Sequence, residues 1–217
     1  MSSYLSIRQK ITCQEVASVN LPISKNDILF IQKKYLDVGD FYICGHIEDI
    51  YRIEMDDELD KINLLSYLIQ NSNDYPALVA VCEHNNYDLD EWLSISYNAG
   101  DISFYYYEED NPYYSKEERF GRTLAMLNGL FEKFSDLGGY IEDYFDFEKY
   151  GNDMSYDYTL TDDGYIYDDG DIDTRYDYEE ILNNVDEDWI PTKDRFNISE
   201  LSEFNHIELL EAMFEQK

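Results

Sequence analysis

Positive charge is scarce in this 217-residue chain: 16 Lys and Arg face 48 Asp and Glu, for a net charge of -32. Proteins that bind nucleic acid neutralise phosphates with Lys and Arg, so an ordinary nucleic-acid binder is excluded. Contact with an anionic membrane surface is disfavoured for the same reason. Cysteine is scarce too. Cys13, Cys44 and Cys82 form no CxxC pair, which points to reduced structural thiols in a cytoplasmic protein. The longest apolar run, "ALVAVC", is far short of a membrane span, and the opening "MSSYLSIRQKITC" lacks the apolar stretch of a secretory leader. No GxSxG, HExxH or Gly-rich phosphate loop occurs. His46, His84 and His206 sit outside any nucleophile motif and read as surface or packing residues. Neither an enzyme nor a cofactor is expected.

Aromatic residues are plentiful: 22 Tyr and 11 Phe. Disordered acidic chains are usually poor in aromatics, so the chain reads as folded despite its charge. The charge is uneven. Residues 1–47 carry four acids and five bases, whereas 140–190 carry 18 acids against Lys149 and Arg175 alone.

The periodicities predict an α+β protein. "SKNDILFIQKKYL" opens on Ser24 with Asp27 three residues on, a capping-box-like helix start. "FYICGHI" and "IYRIEM" read as strands, making 20–55 a small α/β unit. "DELDKINLLSYLIQ" is an amphipathic helix. "YPALVAVCEH" carries Pro76 in a permitted first turn, and "DLDEWLSISYNAG" has Asp88 as N-cap and Gly100 as stop. "DISFYYYEED" is a strand. "SKEERFGRTLAMLNGLFEKF" has Ser115 and Glu118 as a capping box and an apolar stripe through Phe120, Leu124, Leu127, Phe131 and Phe134. A short helix follows, then a hairpin around Asp163-Gly164. "SELSEFNHIELLEAMFEQ" predicts a terminal helix. The expected organisation is an N-terminal α/β domain (1–56), a helical middle domain (57–100), a C-terminal α+β domain (101–169) and an acidic extension (170–217).

Two sites follow from the carboxylates. From Asp169, the residues Asp169, Asp171, Asp173, Asp177 and Glu180 match the ligand positions of an EF-hand loop. Thr174 stands where that loop needs Gly, and a strand precedes it where a helix should enter. The other candidate is the charge itself. A charge of -32 matches roughly 54 Å of duplex, about 16 base pairs, at one charge per ~1.7 Å. Carboxylates at helical i, i+3 and i+4 positions lie about 5–6 Å apart at Cβ, close to the spacing of phosphates along one strand. Aromatic and aliphatic burial on the opposite faces would offset their repulsion.

The stretch "YIEDYFDFEKYGNDM" resembles the C-terminal signature of the ArdA antirestriction proteins, a "YIDYE-YGRDL"-like pattern. Tyr140, Ile141, Tyr144, Asp146, Glu148, Tyr150, Gly151 and Asp153 carry the match; Phe147, Asn152 and Met154 stand where the pattern has Tyr, Arg and Leu. The segment from "LPISKNDILFIQKKYL" to "KINLLSYLI" is similar to the family's N-terminal order, so the likeness covers about 20–168. It implies an elongated chain of small α/β domains in series with a helical middle domain. It also implies a homodimer that mimics DNA and inhibits type I restriction-modification or another anti-phage defence enzyme in the bacterial cytoplasm. The partner would be that enzyme, not nucleic acid or membrane. The mimicking carboxylates would be Glu54, Asp56, Asp57, Glu58, Asp60, Asp88, Asp90, Glu91, Glu142, Asp143, Asp146, Glu148, Asp153, Asp157, Asp162, Asp163, Asp168, Asp169, Asp171 and Asp173. A calcium-binding module, or an acidic protein for a basic partner that does not bind DNA, are the alternatives.

Overall fold

The computed structural model describes residues 3–108, 111–132, 141–168, 172–185 and 190–192. The chain divides into two compact units, Met1–Gln70 with Leu182–Lys217, and Asn71–Ile181. The fold is α+β, with two small antiparallel sheets among the described residues.

The first unit holds strands β1 (Tyr4–Gln9), β2 (Glu15–Asn20), β3 (Phe41–Ile47) and β4 (Tyr51–Ile53), in the order β2-β1-β3-β4. Leu5 lies opposite Val19 and Gly45, and Ile7 opposite Ala17 and Ile43. Residues directly opposite share a face, so one face gathers Leu5, Ile7, Val19, Ile43, Ile47 and Ile53, all buried. β1 and β2 were not anticipated, because Ser3 and Ser6 are buried among the apolar residues and blur the alternation. Helix α1 (Lys25–Ile31) begins at Ser24, whose hydroxyl accepts from the Asp27 amide as expected. Its end widens into a π turn, Gln32–Leu36, that buries Tyr35. Helix α2 (Leu59–Asn71) carries Asn63, whose buried side chain accepts from the Ile23 amide at 2.6 Å and donates to its carbonyl at 3.0 Å.

In the second unit come α3 (Tyr75–His84), α4 (Leu89–Tyr97), β5 (Phe104–Tyr106), α5 (Lys116–Leu127), α6 (Phe147–Met154), β6 (Tyr158–Leu160) and β7 (Gly164–Tyr167). Helix α7 (Tyr178–Asn184) starts there and crosses the boundary. The sheet runs β5-β7-β6. Tyr105, Tyr165 and Leu160 align across it, and this face packs on Phe120 of α5 with Tyr107, Leu124 and Tyr158 around it. The other face presents Thr159 beside Ile166, where His84 at the end of α3 docks.

Two glycines set how closely α5 and α6 cross. A Cβ on Gly121 would lie 2.1 Å from the Phe147 carbonyl oxygen, and one on Gly151 would lie 1.8 Å from that of Glu117. α5 is shorter than its apolar stripe predicts. It stops at Leu127, because Asn128 caps it and Gly129 turns into the left-handed region at φ +56. Phe131 leaves the helix to meet Phe145 and Phe147 edge-on. Phe134, the predicted terminal helix and most of the extension lie outside the described residues.

Candidate functional site

The second unit concentrates the charge: residues 71–181 hold 28 acids and six bases. Three of those basic side chains, Lys116, Arg119 and Arg122, are drawn into the scaffold. Arg122 pairs with Glu118 at 3.0 Å, and its guanidinium lies over the rings of Phe147 and Tyr114 at 4.1 and 4.3 Å. Glu118, expected to complete a capping box with Ser115, gives its carboxylate to this pair, while the Ser115 hydroxyl still accepts from the Glu118 amide. Arg119 stacks on Tyr107 at 5.3 Å, pairs with Asp162 at 3.6 Å and donates to the Asp162 carbonyl. Lys116 donates to the Leu160 carbonyl at 3.0 Å and pairs with Glu83 at 3.6 Å. Of the cations described here, Lys149 lies exposed on α6, and Arg175 is exposed but bound to Asp173.

The carboxylates face outward. Fourteen of the twenty expected residues are exposed: Glu54, Asp56, Glu58, Asp60, Asp88, Asp90, Glu142, Asp143, Asp146, Glu148, Asp153, Asp157, Asp162 and Asp163. Asp57, Glu91, Asp168 and Asp173 are partly buried, and Asp169 and Asp171 lie outside the described residues. Several do local work that charge counting missed. Asp88 and Glu91 close a reciprocal capping box on α4. Asp146 caps α6 by accepting from the Lys149 amide. One oxygen of Asp57 accepts from both the Tyr51 hydroxyl at 2.9 Å and the Glu54 amide at 2.7 Å, and burial pushes its carboxyl above the usual range.

Thr159 and His84, which bear on chemistry, have structural partners. Thr159 donates to Asp168 at 2.7 Å, and His84 Nδ1 lies 3.2 Å from Thr159 Oγ1 and 3.3 Å from Asp168. A nucleophilic hydroxyl would give its proton to the imidazole; here it goes to the carboxylate, so the cluster fastens α3 to the sheet. The expected calcium ligands are divided. Asp173 is gripped by the Arg175 guanidinium at 2.6 and 2.9 Å and by its amide, which holds the carboxyl down at about 2. Asp177 accepts from the Glu180 amide at the start of α7. Among the described residues, no group of three or more His, Cys, Asp or Glu could hold a metal ion. A cleft of about 230 Å³ beside Arg122 is lined by apolar groups such as Met126, Leu130 and Phe147, with Glu132 and Glu142. Among the described residues, no helix is long and apolar enough to cross a membrane.

No protein-family model matches the chain, and neither a curated protein nor a solved structure matches it.

Proposed function

We propose that this protein is a non-catalytic DNA mimic. It fills the DNA channel of a DNA-binding defence enzyme, such as a type I restriction-modification complex, in the bacterial cytoplasm. The observation that carries this reading is the sorting of charge in the second unit. Arg119 and Arg122 are held against rings and carboxylates within the scaffold, while Glu142, Asp143, Glu148, Asp153, Asp157 and Asp163 face solvent. The unit's 28 acids and six bases leave a net of -22. At one charge per ~1.7 Å this equals roughly 37 Å of duplex, about one helical turn. Helices α4 and α6 are capped by their own acids, α4 by Asp88 with Glu91 and α6 by Asp146. The likeness of "YIEDYFDFEKYGNDM" to the ArdA signature points the same way.

The reading calls for units placed in series along an elongated homodimer, so that the acidic surface continues; small-angle scattering tests that shape. Binding would be steered by charge and weaken with salt. The first unit's Glu54, Asp56, Glu58 and Asp60, between β4 and α2, would extend the surface. The calcium alternative draws no support from Asp173, which Arg175 already occupies.

The test is inhibition of a type I enzyme, with duplex DNA as competitor. Each of Glu142→Gln, Asp143→Asn, Glu148→Gln and Asp153→Asn alone should change inhibition by less than about fivefold, since an exposed charge pair is worth at most about 1 kcal/mol. The four together should weaken it by about tenfold or more, and excess duplex should abolish target binding. One neutralisation that abolishes inhibition, or binding that persists beside duplex DNA, overturns the reading.

A further inference from the structure

We infer that the edge of strand β2 is a pairing site for a second copy of this chain, with the two β2 strands antiparallel about a two-fold axis at Ser18. The inference goes beyond the DNA-mimic reading, since it follows from the first sheet and from where charge is lacking.

Each sheet has two edges. β4, β5 and β6 are edge strands of three residues, and so short an edge gives another chain little backbone to join. β2 is the exception, with six residues. The Leu21 amide donates to the Ser3 carbonyl at 3.1 Å, and Val19 and Ala17 lie opposite Leu5 and Ile7. Backbone groups alternate in direction along an antiparallel pair. Leu21, Val19 and Ala17 therefore turn theirs to β1. Ser18 and Asn20 turn theirs outward, where no strand among the described residues meets them. Natural edges are commonly blunted by lysine, proline or a bulge. Glu15–Asn20 holds neither lysine nor proline, and its irregularity, between Ile7 and Arg8 on the β1 side, leaves Ala17–Asn20 in regular register.

Charge selects the occupant. A second copy also carries -32, so contact through residues 48–217, with 44 acids and 11 bases, would set like charges together. Residues 1–47, with four acids and five bases, are close to neutral. The one acid of β2 is already matched: Glu15 accepts from the Ser6 hydroxyl at 2.7 Å and pairs with Arg8 at 3.8 Å. Pairing about Ser18 sets Ala17 of one copy opposite Val19 of the other, small against large, on the face that buries Val19. The two Glu15 residues then lie six positions apart along the strands, about 20 Å, well beyond the ~8 Å screening length at physiological salt.

Sedimentation velocity on the full chain tests the pairing. The wild type should be dimeric at about 50 μM and should associate at least about threefold more tightly in ~0.5 M than in ~0.1 M NaCl, because salt screens the repulsion between two acidic chains. Ser18→Lys and Ser18→Glu each place like charges face to face at the axis, and each should weaken the dimer at least about fivefold. Mixed in equal amounts, the two should recover as a heterodimer. Ser18→Pro should be monomeric yet folded, because the amide it removes points away from β1; near-UV circular dichroism verifies the fold. A monomeric wild type, the result if another segment of the same chain covers the edge, overturns the proposal. So does a dimer that Ser18→Lys leaves intact, or a mixture that fails to recover. A monomer that still inhibits a type I enzyme in competition with duplex DNA removes the edge pairing and keeps the mimic reading. A Ser18-dependent dimer whose target binding duplex DNA does not compete away does the reverse.

Discussion

Replacing Gly151 by Ala tests the packing on which the acidic surface depends. The new Cβ would sit 1.8 Å from the Glu117 carbonyl oxygen and 2.9 Å from the Gly121 amide nitrogen, where real Cβ atoms keep at least 3.0 Å. Both obstacles are backbone, so no side-chain rotation relieves them. The helices must part by about 1.2 Å, the difference between 3.0 and 1.8 Å. That movement lifts Phe147 from α5 and opens the stack between its ring and Arg122. Overpacking of this kind costs about 1–3 kcal/mol, and a double backbone clash belongs at the upper end. Alanine's better helix propensity returns up to about 1 kcal/mol. The net loss is about 2 kcal/mol, or roughly 8 °C in the melting temperature of a unit near 110 residues. Thermal melting followed by tyrosine near-UV circular dichroism measures it, with the exposed Asn152→Ala as control. Gly121→Ala should act alike, and the double variant should lose less than the sum, because both residues occupy one crossing. A Gly151→Ala protein that melts within about 2 °C of wild type refutes the crossing geometry.

Further expectations concern titration and metal. Tyr107 is raised above the ordinary tyrosine range by burial, so its contribution is complete below about pH 10 and is lost at higher pH. Tyr107→Phe, which forgoes the 3.0 Å bond to the Thr161 carbonyl, should cost about 1 kcal/mol at pH 7 and delay alkaline unfolding above pH 10, read by absorbance at 295 nm. Asp57 is raised by burial, so the native state favours its neutral form, and stability falls as pH rises through its native pKa. Asp57→Asn keeps an acceptor for Tyr51 and the Glu54 amide; at pH 7 it should be neutral or stabilising by up to about 1 kcal/mol in urea unfolding. Calcium calorimetry at physiological salt should show weak, salt-sensitive heat alone; saturable binding at micromolar calcium would revive the loop reading.

Much of this was legible where one signal dominates. Ser24, Asp88 and Ser115 mark helix starts because a short polar side chain facing an unpaired amide is a local device. The Asp163-Gly164 hairpin formed where its turn residues stand. β1 escaped because it is a central strand whose Ser6 is buried beside Leu5 and Ile7, and β2 because it is an edge strand in which Val19 alone is buried. The over-long α5 stripe failed because periodicity continues past a stop that Gly129 imposes through its backbone. For the site, exposure followed from composition, since 48 acids cannot all be buried. The fate of the cations did not. Nothing in the spacing of Arg119 and Arg122 predicts that Tyr107 and Phe147, from other segments, will cover them.

That fate gives the acidic residues unequal meaning. Asp88 and Asp146 face solvent and add to the field, yet each also satisfies a helix amide. Removing one changes a cap worth about 1 kcal/mol as well as a charge. Asp162 likewise holds Arg119 in place. Glu142, Asp143, Glu148, Asp153 and Asp163 are the opposite case: exposed, and attached to elements whose burial is secured by Phe147, Phe120 and Tyr165. The scaffold therefore places its obligatory carboxylates where helix ends and cations need them and leaves a surplus without an internal bond among the described residues. Surplus charge held on short capped helices costs stability through self-repulsion. Neutralising that surplus should therefore leave the scaffold at least as stable, whereas removing Asp88, Asp146 or Asp162 should weaken it.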